Sequence, residues 1–311
     1  MDYLYLIGGL LLLFVSGELL VKGAVSIAYR FKISKLVVGL TVVSFGTSAP
    51  ELFVSMMAAL DGHPDIAVGN VIGSNIANFG IVLGLVLLIF PMKINSKVAK
   101  LDYPVLFAAS AIFLLVISDQ IISHFEGFLL LGILLFYLYF LVRNSRKETK
   151  KRNEVIPITA KKFYLGIIYI LIGIVGLKFG SEFFLDGAIN IAQNFGLSDH
   201  LIGVSIVAFG TSVPELTTSV VAAFRKHDDI SLGNLIGSNV FNLHVVLGIT
   251  AIFESISISD QVLTFDYLWM IAFVIALIPA IYFRKKFSRN DGIILLLAYC
   301  AYIYFSFALS L

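Results

Sequence analysis

The chain has 311 residues, of which 59% are apolar and only 14% are charged, and its mean hydropathy is +0.97. Soluble globular proteins average roughly 45–50% apolar and about 25% charged residues. The composition therefore excludes a soluble globular protein, a disordered chain, a collagen and a nucleic-acid-binding domain. The net charge of +2 adds little, because the placement of charges matters more than their sum. Cys300 is the only cysteine, which excludes an internal disulfide and a cysteine metal cluster.

Ten stretches of the sequence are apolar enough to cross a bilayer, which takes about 20 residues in a helix. The predicted spans, in chain order and to within a few residues, are 3–29, 36–60, 66–90, 102–118, 123–143, 163–193, 200–224, 230–253, 265–283 and 291–310. The predicted fold class is therefore an all-α polytopic membrane protein.

Basic residues alternate from loop to loop. Of the 22 Lys and Arg residues, 20 fall in the loops after spans 1, 3, 5, 7 and 9, whereas the loops after spans 2, 4, 6 and 8 contain none. The positive-inside rule predicts that the basic loops are cytoplasmic and that both termini lie outside. The polar, basic stretch 144–162 is predicted to be a solvated cytoplasmic linker between residues 1–143 and 163–311.

The sequence repeats itself with a shift of 164 residues. Residues 39–84 align with 203–248 without a gap, and 25 of the 46 positions are identical. Each copy has five spans, and an odd number inserts the second copy upside down, so the predicted fold is two inverted five-helix repeats (5+5). Such repeats are typical of secondary transporters, whose sites lie near the bilayer midplane. An old duplication kept only for packing is disfavoured, because the identities concentrate on polar residues within apolar helices.

Spans 2 and 7 each combine helix-breaking residues with a carboxylate. Pro50 predicts a break or kink in span 2, next to Glu51, and span 7 repeats the pattern with Pro214 and Glu215. A carboxylate at the bilayer centre costs about 2.5–3.5 kcal/mol on insertion scales. Spans 2, 3, 7 and 8 contain no Lys or Arg at comparable depth, so the two glutamates require cations or protons. Two permanently protonated, hydrogen-bonded glutamates are the alternative.

The other polar groups of these four spans also offer oxygen atoms. They are Ser44, Thr47, Ser48, Ser74, Asn78, Thr211, Ser212, Ser238 and Asn242, and Ala208 takes the position of Ser44 in the second copy. Ca²⁺ takes 6–8 oxygen ligands of this kind, and Na⁺ also prefers hard oxygen ligands. No set of His and Cys residues suggests zinc or copper. For each intramembrane Asn, simple helix–helix adhesion is the alternative interpretation.

The doubled motifs resemble a known family. GTSAPE (46–51) with GNVIGSNIAN (69–78), and GTSVPE (210–215) with GNLIGSNVFN (233–242), look like the two alpha-repeats of the calcium/cation antiporter superfamily, nearest to prokaryotic sodium/calcium exchangers. The resemblance implies that spans 2, 3, 7 and 8 hold the ions and that spans 1 and 6 form a gating bundle. It implies that Glu51 and Glu215 are shared Ca²⁺ and Na⁺ ligands. The ligands that it adds are Thr47, Ser48, Ser74, Asn78, Thr211, Ser212, Ser238 and the backbone carbonyls near Ser44 and Ala208.

One position departs from the pattern: some prokaryotic members carry Asp where this chain has Asn242. Potassium-dependent members also favour Asp in this region, so the asparagine argues against potassium cotransport. The predicted function is Na⁺/Ca²⁺ antiport by alternating access, and the alternative is a proton-coupled Ca²⁺ antiporter that uses the same glutamates. A channel fits an inverted repeat with broken helices less well. An enzyme is disfavoured, because no Ser-His-Asp, HExxH or Walker pattern is present.

We expect no cofactor and no nucleic acid. The expected partners are the transported ions Ca²⁺ and Na⁺, with H⁺ as the alternative, and the lipid bilayer. The expected form is a monomer in the cell (inner) membrane. Charged residues inside spans 1 and 6 are spaced to pair at i, i+4: Glu18 with Lys22, and Lys178 with Glu182. We predict that these pairs shield charge along the gating bundle rather than hold ions, and the alternative for Lys22 is that it anchors the helix near the membrane interface. His244 is interpreted as a packed or hydrogen-bonded residue, with a proton-sensitive neighbour of the site as the alternative.

Overall fold

The computed structural model describes residues 2–151, 160–194 and 210–309, and most of them are helical. The chain divides into two compact units. Unit 1 consists of Met1–Thr47, Leu141–Asn234 and Cys300–Leu311, and unit 2 of Ser48–Phe140 and Leu235–Tyr299. Both units draw segments from each half of the sequence. The division at 144–162 therefore describes the sequence repeat, and as a domain boundary it stays a prediction.

The helices are numbered in chain order. They are α1 Asp2–Phe31, α2 Lys35–Thr47, α3 Ala49–Leu60, α4 Pro64–Ile89, α5 Val98–Val116, α6 His124–Lys151, α7 Ala160–Asn194, α8 Val213–Phe224, α9 Asp228–Phe253, α10 Val262–Arg284 and α11 Arg289–Leu309. Where predicted spans and described helices can be compared, most of their ends agree to within a few residues.

The length and composition of the described helices fit a membrane protein. Seven of them are long and apolar enough to cross a bilayer, or eight if the bent pair α2 and α3 is one span. Helix α8 is a shorter apolar helix, and the beginning of the predicted span 200–224 lies outside the described residues. A multi-pass helical architecture is thus confirmed, and the ten-span 5+5 arrangement stays a prediction.

Helix α6 is longer than predicted, because it continues to Lys151 instead of ending near residue 143. Residues 144–151 contain neither Pro nor Gly, and their Arg, Lys and Glu residues have high helix propensity. Nothing in the sequence therefore stops the helix where the apolar run ends. The first part of the predicted linker is helical as a result.

The 164-residue repeat extends into the local backbone structure. Several helices contain π-helical turns, and two pairs of these turns begin 164 residues apart, at Asn78 and Asn242 and at Val98 and Val262. Strand β1, Met92–Lys93, and strand β3, Ile256–Ser257, are separated by the same shift. The structural repeat therefore reaches beyond residue 84, where the gapless sequence alignment ends.

Two short antiparallel ribbons in unit 2 join residues that are far apart in sequence. Strand β1 pairs with β4, Lys286–Phe287, so that Met92 lies opposite Phe287. Strand β2, Ile121–Ile122, pairs with β3. The side chains of Met92 and Phe287 are buried, so the ribbons close over apolar contacts.

The core of unit 1 is the long contact between α1 and α7. Leu13, Leu20 and Ala24 of α1 pack in one buried cluster with Leu177 of α7. The two backbones approach closely at Gly23, where a Cβ would lie 2.6 Å from the carbonyl oxygen of Gly166. Small residues allow membrane helices to pack at such distances.

Helix α4 lies in the interior of unit 2 and α6 at its periphery. Of the apolar span of α4, 72% is buried, against 22% for that of α6. Phe125, Phe128 and Phe136 of α6 are exposed, as expected of side chains that face lipid.

Candidate functional site

The helices that carry the two glutamates begin in the same way. Each follows a residue whose backbone angles are not helical: Ser48, with φ −87° and ψ 6°, precedes α3, and Ser212, with φ −88° and ψ 2°, precedes α8. The prolines lie in the first turn of the helix that follows, where a backbone N–H has no helical partner and its loss costs nothing. The break therefore occurs two residues before Pro50, not at Pro50 as predicted.

This arrangement places each glutamate in the first turn of a helix. Glu51 lies in the first turn of α3 and Glu215 in that of α8, and both are fully buried. The N-terminal end of a helix carries a partial positive charge that favours a carboxylate. It offsets part of the cost of burying these two side chains.

In unit 1, Asn234 of α9 organises the surroundings of Glu215. Its Nδ2 lies 3.5 Å from the backbone oxygen of Glu215 and 3.1 Å from Oγ of Ser219. Its Oδ1 accepts a hydrogen bond of 3.1 Å from the hydroxyl of Thr47. The hydroxyl of Ser44 donates to the backbone oxygen of Asn234 at 3.0 Å. One buried amide thus links the ends of α2 and α8.

The approach of α2 to α9 in unit 1 depends on two glycines. A Cβ at Gly39 would lie 2.7 Å from the carbonyl oxygen of Ile230, and a Cβ at Gly233 would lie 2.6 Å from that of Leu36. Neither backbone position leaves room for a side chain. The glycines therefore bring Ser44 and Thr47 within reach of Asn234.

In unit 2, Asn70 of α4 repeats the role of Asn234. Its Nδ2 lies 3.3 Å from the backbone oxygen of Glu51 and 2.9 Å from Oγ of Ser55, whose hydroxyl donates to the carbonyl of Ala67. Asn70 and Asn234 are 164 residues apart. The same contact thus joins a glutamate helix to the following helix in each unit.

Several buried oxygen atoms of unit 2 accept no hydrogen bond from the described residues. They are Oγ of Ser74, Oδ1 of Asn78, Oδ1 of Asn239 and Oδ1 of Asn242. A buried oxygen that lacks a donor is costly unless another group, such as a cation, takes its place. This set provides neutral ligands of the type that Ca²⁺ and Na⁺ prefer.

The structure distributes the predicted site residues over both units. Unit 1 contains Ser44, Thr47, Thr211, Ser212 and Glu215, whereas unit 2 contains Ser48, Glu51, Ser74, Asn78, Ser238 and Asn242. All of these side chains except that of Thr211 are buried. Ala208 lies outside the described residues.

Four asparagines with clear structural roles were absent from the predicted site: Asn70, Asn75, Asn234 and Asn239. All four are identical between the two copies of the repeat, and that identity is the signal that could have identified them. No group of three or more His, Cys, Asp or Glu side chains that could hold a metal occurs in the described part of the chain.

The predicted ion pairs on α1 and α7 are confirmed. Lys22 Nζ lies 3.0 Å from Glu18, and Lys178 Nζ lies 3.7 Å from Glu182. Glu18 additionally forms a two-point ion pair with Arg225, the residue that follows α8, with Nε to Oε2 at 2.9 Å. This second partner of Glu18 was not predicted.

The histidines occupy different environments. His244 is 2% exposed, and its Nδ1 lies 3.1 Å from the carbonyl oxygen of Val240, which confirms the prediction of a packed, hydrogen-bonded residue. His227 lies between α8 and α9, half-buried, with Nδ1 3.2 Å from Nζ of Lys35. Burial lowers the pKa of His227, and the charge of Lys35 acts in the same direction.

Comparison of the sequence with protein families gives one clear match. The sequence profile of the family described as "Sodium/calcium exchanger protein" matches residues 1–143 and 165–308. These two ranges cover most of the chain and leave out the stretch between α6 and α7.

Individual relatives match over nearly their full length. A "Putative antiporter CaxA" from Alkalimonas amylolytica is 36% identical over 98% of each chain, and "Sodium/calcium exchanger MaX1" from Methanosarcina acetivorans is 30% identical over 97% of each. The solved structure of the sodium/calcium exchanger from Methanococcus jannaschii superimposes with a TM-score of 0.83 at 31% identity, covering 98% of this chain and 99% of that one.

Proposed function

The chain belongs to the sodium/calcium exchanger family, and from that premise we propose that it exchanges Na⁺ for Ca²⁺ across a membrane by alternating access. Its relatives are exchangers and antiporters, so it is a multi-pass membrane transporter for cations and not an enzyme. Ca²⁺ and Na⁺ are the transported substrates in this proposal, with no resident cofactor.

One observation carries the proposal: two fully buried glutamates, Glu51 and Glu215, each lie in the first turn of an apolar helix that follows a residue with non-helical backbone angles. Buried carboxylates in membrane helices mark ion pathways and are paired or bind cations. We propose that both bind the transported ions. The neutral ligands of the proposal are Ser44, Thr47, Ser48, Ser74, Asn78, Ala208, Thr211, Ser212, Ser238 and Asn242.

The charge of the two glutamates suits the exchange. Two ionised carboxylates balance one Ca²⁺ or two Na⁺, and the neutral oxygens can hold further Na⁺ because they add no charge. Ca²⁺ needs 6–8 oxygen ligands, more than two carboxylates supply, which gives the serine, threonine and asparagine groups their role.

The proposed architecture is the inverted 5+5 repeat, with both termini outside and the stretch between α6 and α7 cytoplasmic. The 164-residue shift shared by π-helical turns and strands supports the repeat. The distribution of Lys and Arg supports the orientation. We propose that α1 and α7, which pack along their length, move together as the gating bundle and that a monomer in the cell membrane is functional.

The test determines whether Na⁺ or H⁺ is the coupling ion. The purified chain is reconstituted into liposomes, and uptake of radioactive calcium is driven either by an outward Na⁺ gradient at equal pH or by a proton gradient without Na⁺. We expect uptake with the Na⁺ gradient alone. Uptake driven by the proton gradient alone would contradict Na⁺ coupling and favour a Ca²⁺/H⁺ antiporter with the same glutamates.

A further inference from the structure

Three buried asparagines of unit 2 form a chain of hydrogen bonds between α4 and α9. Nδ2 of Asn242 donates to Oδ1 of Asn75 at 3.0 Å. Nδ2 of Asn75 lies 3.3 Å from the backbone carbonyl oxygen of Asn239 and 3.8 Å from Sδ of Met270. The three asparagines are at most 1% exposed. Water therefore does not substitute for any of these contacts.

The direction of these hydrogen bonds fixes the orientation of the amide groups of Asn75 and Asn242. A backbone carbonyl can only accept a hydrogen bond, so Asn75 must turn its NH₂ group towards Asn239. The side-chain oxygen of Asn75 then faces Asn242, which must donate a hydrogen bond to it from its own NH₂ group. The oxygen of Asn242 consequently points away from Asn75, and no donor among the described residues reaches it.

We propose that Asn75 is a positioning residue, which holds the amide of Asn242 with its oxygen presented to the transported cation. The inference rests on the proposed function, in which Asn242 is an ion ligand. Without Asn75, the amide of Asn242 can rotate and present its NH₂ group, which a cation does not tolerate. Groups that hydrogen-bond to a metal ligand fix the orientation of that ligand and affect the affinity of the site for the metal in this way.

The other copy of the repeat lacks this contact. The 164-residue shift pairs Asn78 with Asn242 and Asn239 with Asn75, yet Nδ2 of Asn239 donates to the carbonyl of Leu235 in its own helix, at 2.7 Å. Neither polar atom of the Asn78 side chain has a hydrogen-bond partner within the described ranges. Asn75 therefore orients a ligand in one copy only, and the asymmetry makes its effect specific to Asn242.

The test is a double-mutant cycle on Ca²⁺ affinity, measured by calorimetry on the full chain in Na⁺-free detergent solution. We expect Asn75→Ala and Asn242→Ala each to raise the dissociation constant for Ca²⁺ about tenfold. This is the lower end of the loss in affinity that follows removal of a group hydrogen-bonded to a metal ligand. The double variant should bind no more weakly than Asn242→Ala alone, because Asn75 acts through Asn242. Asn75→Leu, which keeps the volume, should match Asn75→Ala and replaces it if the alanine variant does not fold.

Ser110→Ala is the matched control, since the buried Ser110 hydroxyl donates to the carbonyl of Leu106 within α5 of the same unit. Its Ca²⁺ affinity should equal that of the wild type. Wild-type affinity in the Asn75 variants, or effects that multiply in the double variant, would overturn the role of Asn75 and leave the proposed function intact. A wild-type chain that binds no Ca²⁺ would instead overturn the proposed function, and this inference with it.

Discussion

Asn70 and Asn234 hold the backbone of the two glutamates through the same pair of contacts, but their environments differ. Asn234 is fully buried, and its side chain forms hydrogen bonds with Thr47 in addition to Ser219 and Glu215. Asn70 is half-buried, and its side chain contacts Ser55 and Glu51. Because water can partly replace the contacts of a half-buried amide, the two positions differ in their importance for stability.

Asn234→Ala should therefore destabilise the protein more than Asn70→Ala. Leaving buried polar partners unsatisfied costs about 1–3 kcal/mol, whereas a hydrogen bond that water can replace contributes about 0.5–1.5 kcal/mol. Thermal unfolding of the two purified variants in the same detergent measures the order. Equal melting temperatures, or a lower one for Asn70→Ala, would refute the role given to Asn234.

Asn78→Ala and Asn242→Ala should weaken Ca²⁺ transport more mildly than loss of either glutamate. Both side chains are neutral, and contacts to an ionised group are roughly twice as strong as neutral ones. Calcium flux into proteoliposomes at several Ca²⁺ concentrations measures the change, which we expect mainly as a higher half-saturating concentration. A complete loss of flux in either variant would contradict a neutral supporting role.

At the scale of elements, α1 is joined to the end of α8 through Glu18. The Glu18 side chain is 13% exposed and pairs with both Lys22 and Arg225, which are about half exposed. In the ion pair on α7, the side chain of Glu182 is 50% exposed and that of Lys178 is 55% exposed. Ion pairs at the surface contribute little, so the Glu18 cluster has the larger effect on the position of α1.

Neutralising Glu18 and Lys22 together, as Gln residues, should slow exchange several-fold and leave the equilibrium Ca²⁺ affinity within a few-fold of wild type. The corresponding change at Lys178 and Glu182 is the comparison and should slow exchange less. Initial calcium flux and calorimetric Ca²⁺ binding measure the two properties. A loss of binding as large as that of a Glu51 variant would disprove the gating assignment.

His227, in the connection between α8 and α9, is expected to make the stability of the protein depend on pH. Burial lowers the pKa of His227 below its ordinary value of 6.5, the charges of Lys35 and Arg225 act in the same direction, and Asp229 opposes them. The unfolded chain then binds the proton more readily than the folded chain. Stability is therefore lost as pH falls below about 6.5.

Replacing His227 by Gln should reduce the difference in melting temperature between about pH 7.5 and about pH 5.5. The glutamine cannot take up a proton, so the unfolded state loses this advantage at low pH. Melting curves of the wild type and the variant at both pH values make the comparison. An unchanged difference would show that His227 does not contribute.

At the scale of the whole molecule, local patterns predicted the features that depend on local sequence. Long apolar runs predicted the positions of most described helices, and the doubled GTS-P-E motifs predicted the buried glutamates. The helix break was misplaced because Pro50 is tolerated in a first helical turn, so the interruption occurs before it. The extension of α6 was missed because charged helix formers end an apolar run without ending a helix.

Contacts between distant residues could not be predicted from these patterns. Glu18 and Arg225 are 207 residues apart, and Asn75 and Asn242 are 167 apart. Periodicity and motif spacing describe one helix at a time, and they do not specify which face meets another helix. For the asparagines, identity between the two copies indicated importance, but only the structure provided their partners.

The most direct test of the central claim replaces each buried glutamate by glutamine, which keeps the size of the side chain and removes its charge. Ca²⁺ brings two positive charges, so the loss of one proposed carboxylate ligand leaves one of these charges unbalanced, at high cost where the dielectric constant is low. The measurement is initial calcium uptake driven by an outward Na⁺ gradient in proteoliposomes, with Ser110→Ala as the control variant. We predict that Glu51→Gln and Glu215→Gln each abolish or severely reduce uptake while the control retains it. Near wild-type uptake by both glutamine variants would contradict the proposed role of the two glutamates as ion ligands and the exchange mechanism built on that role.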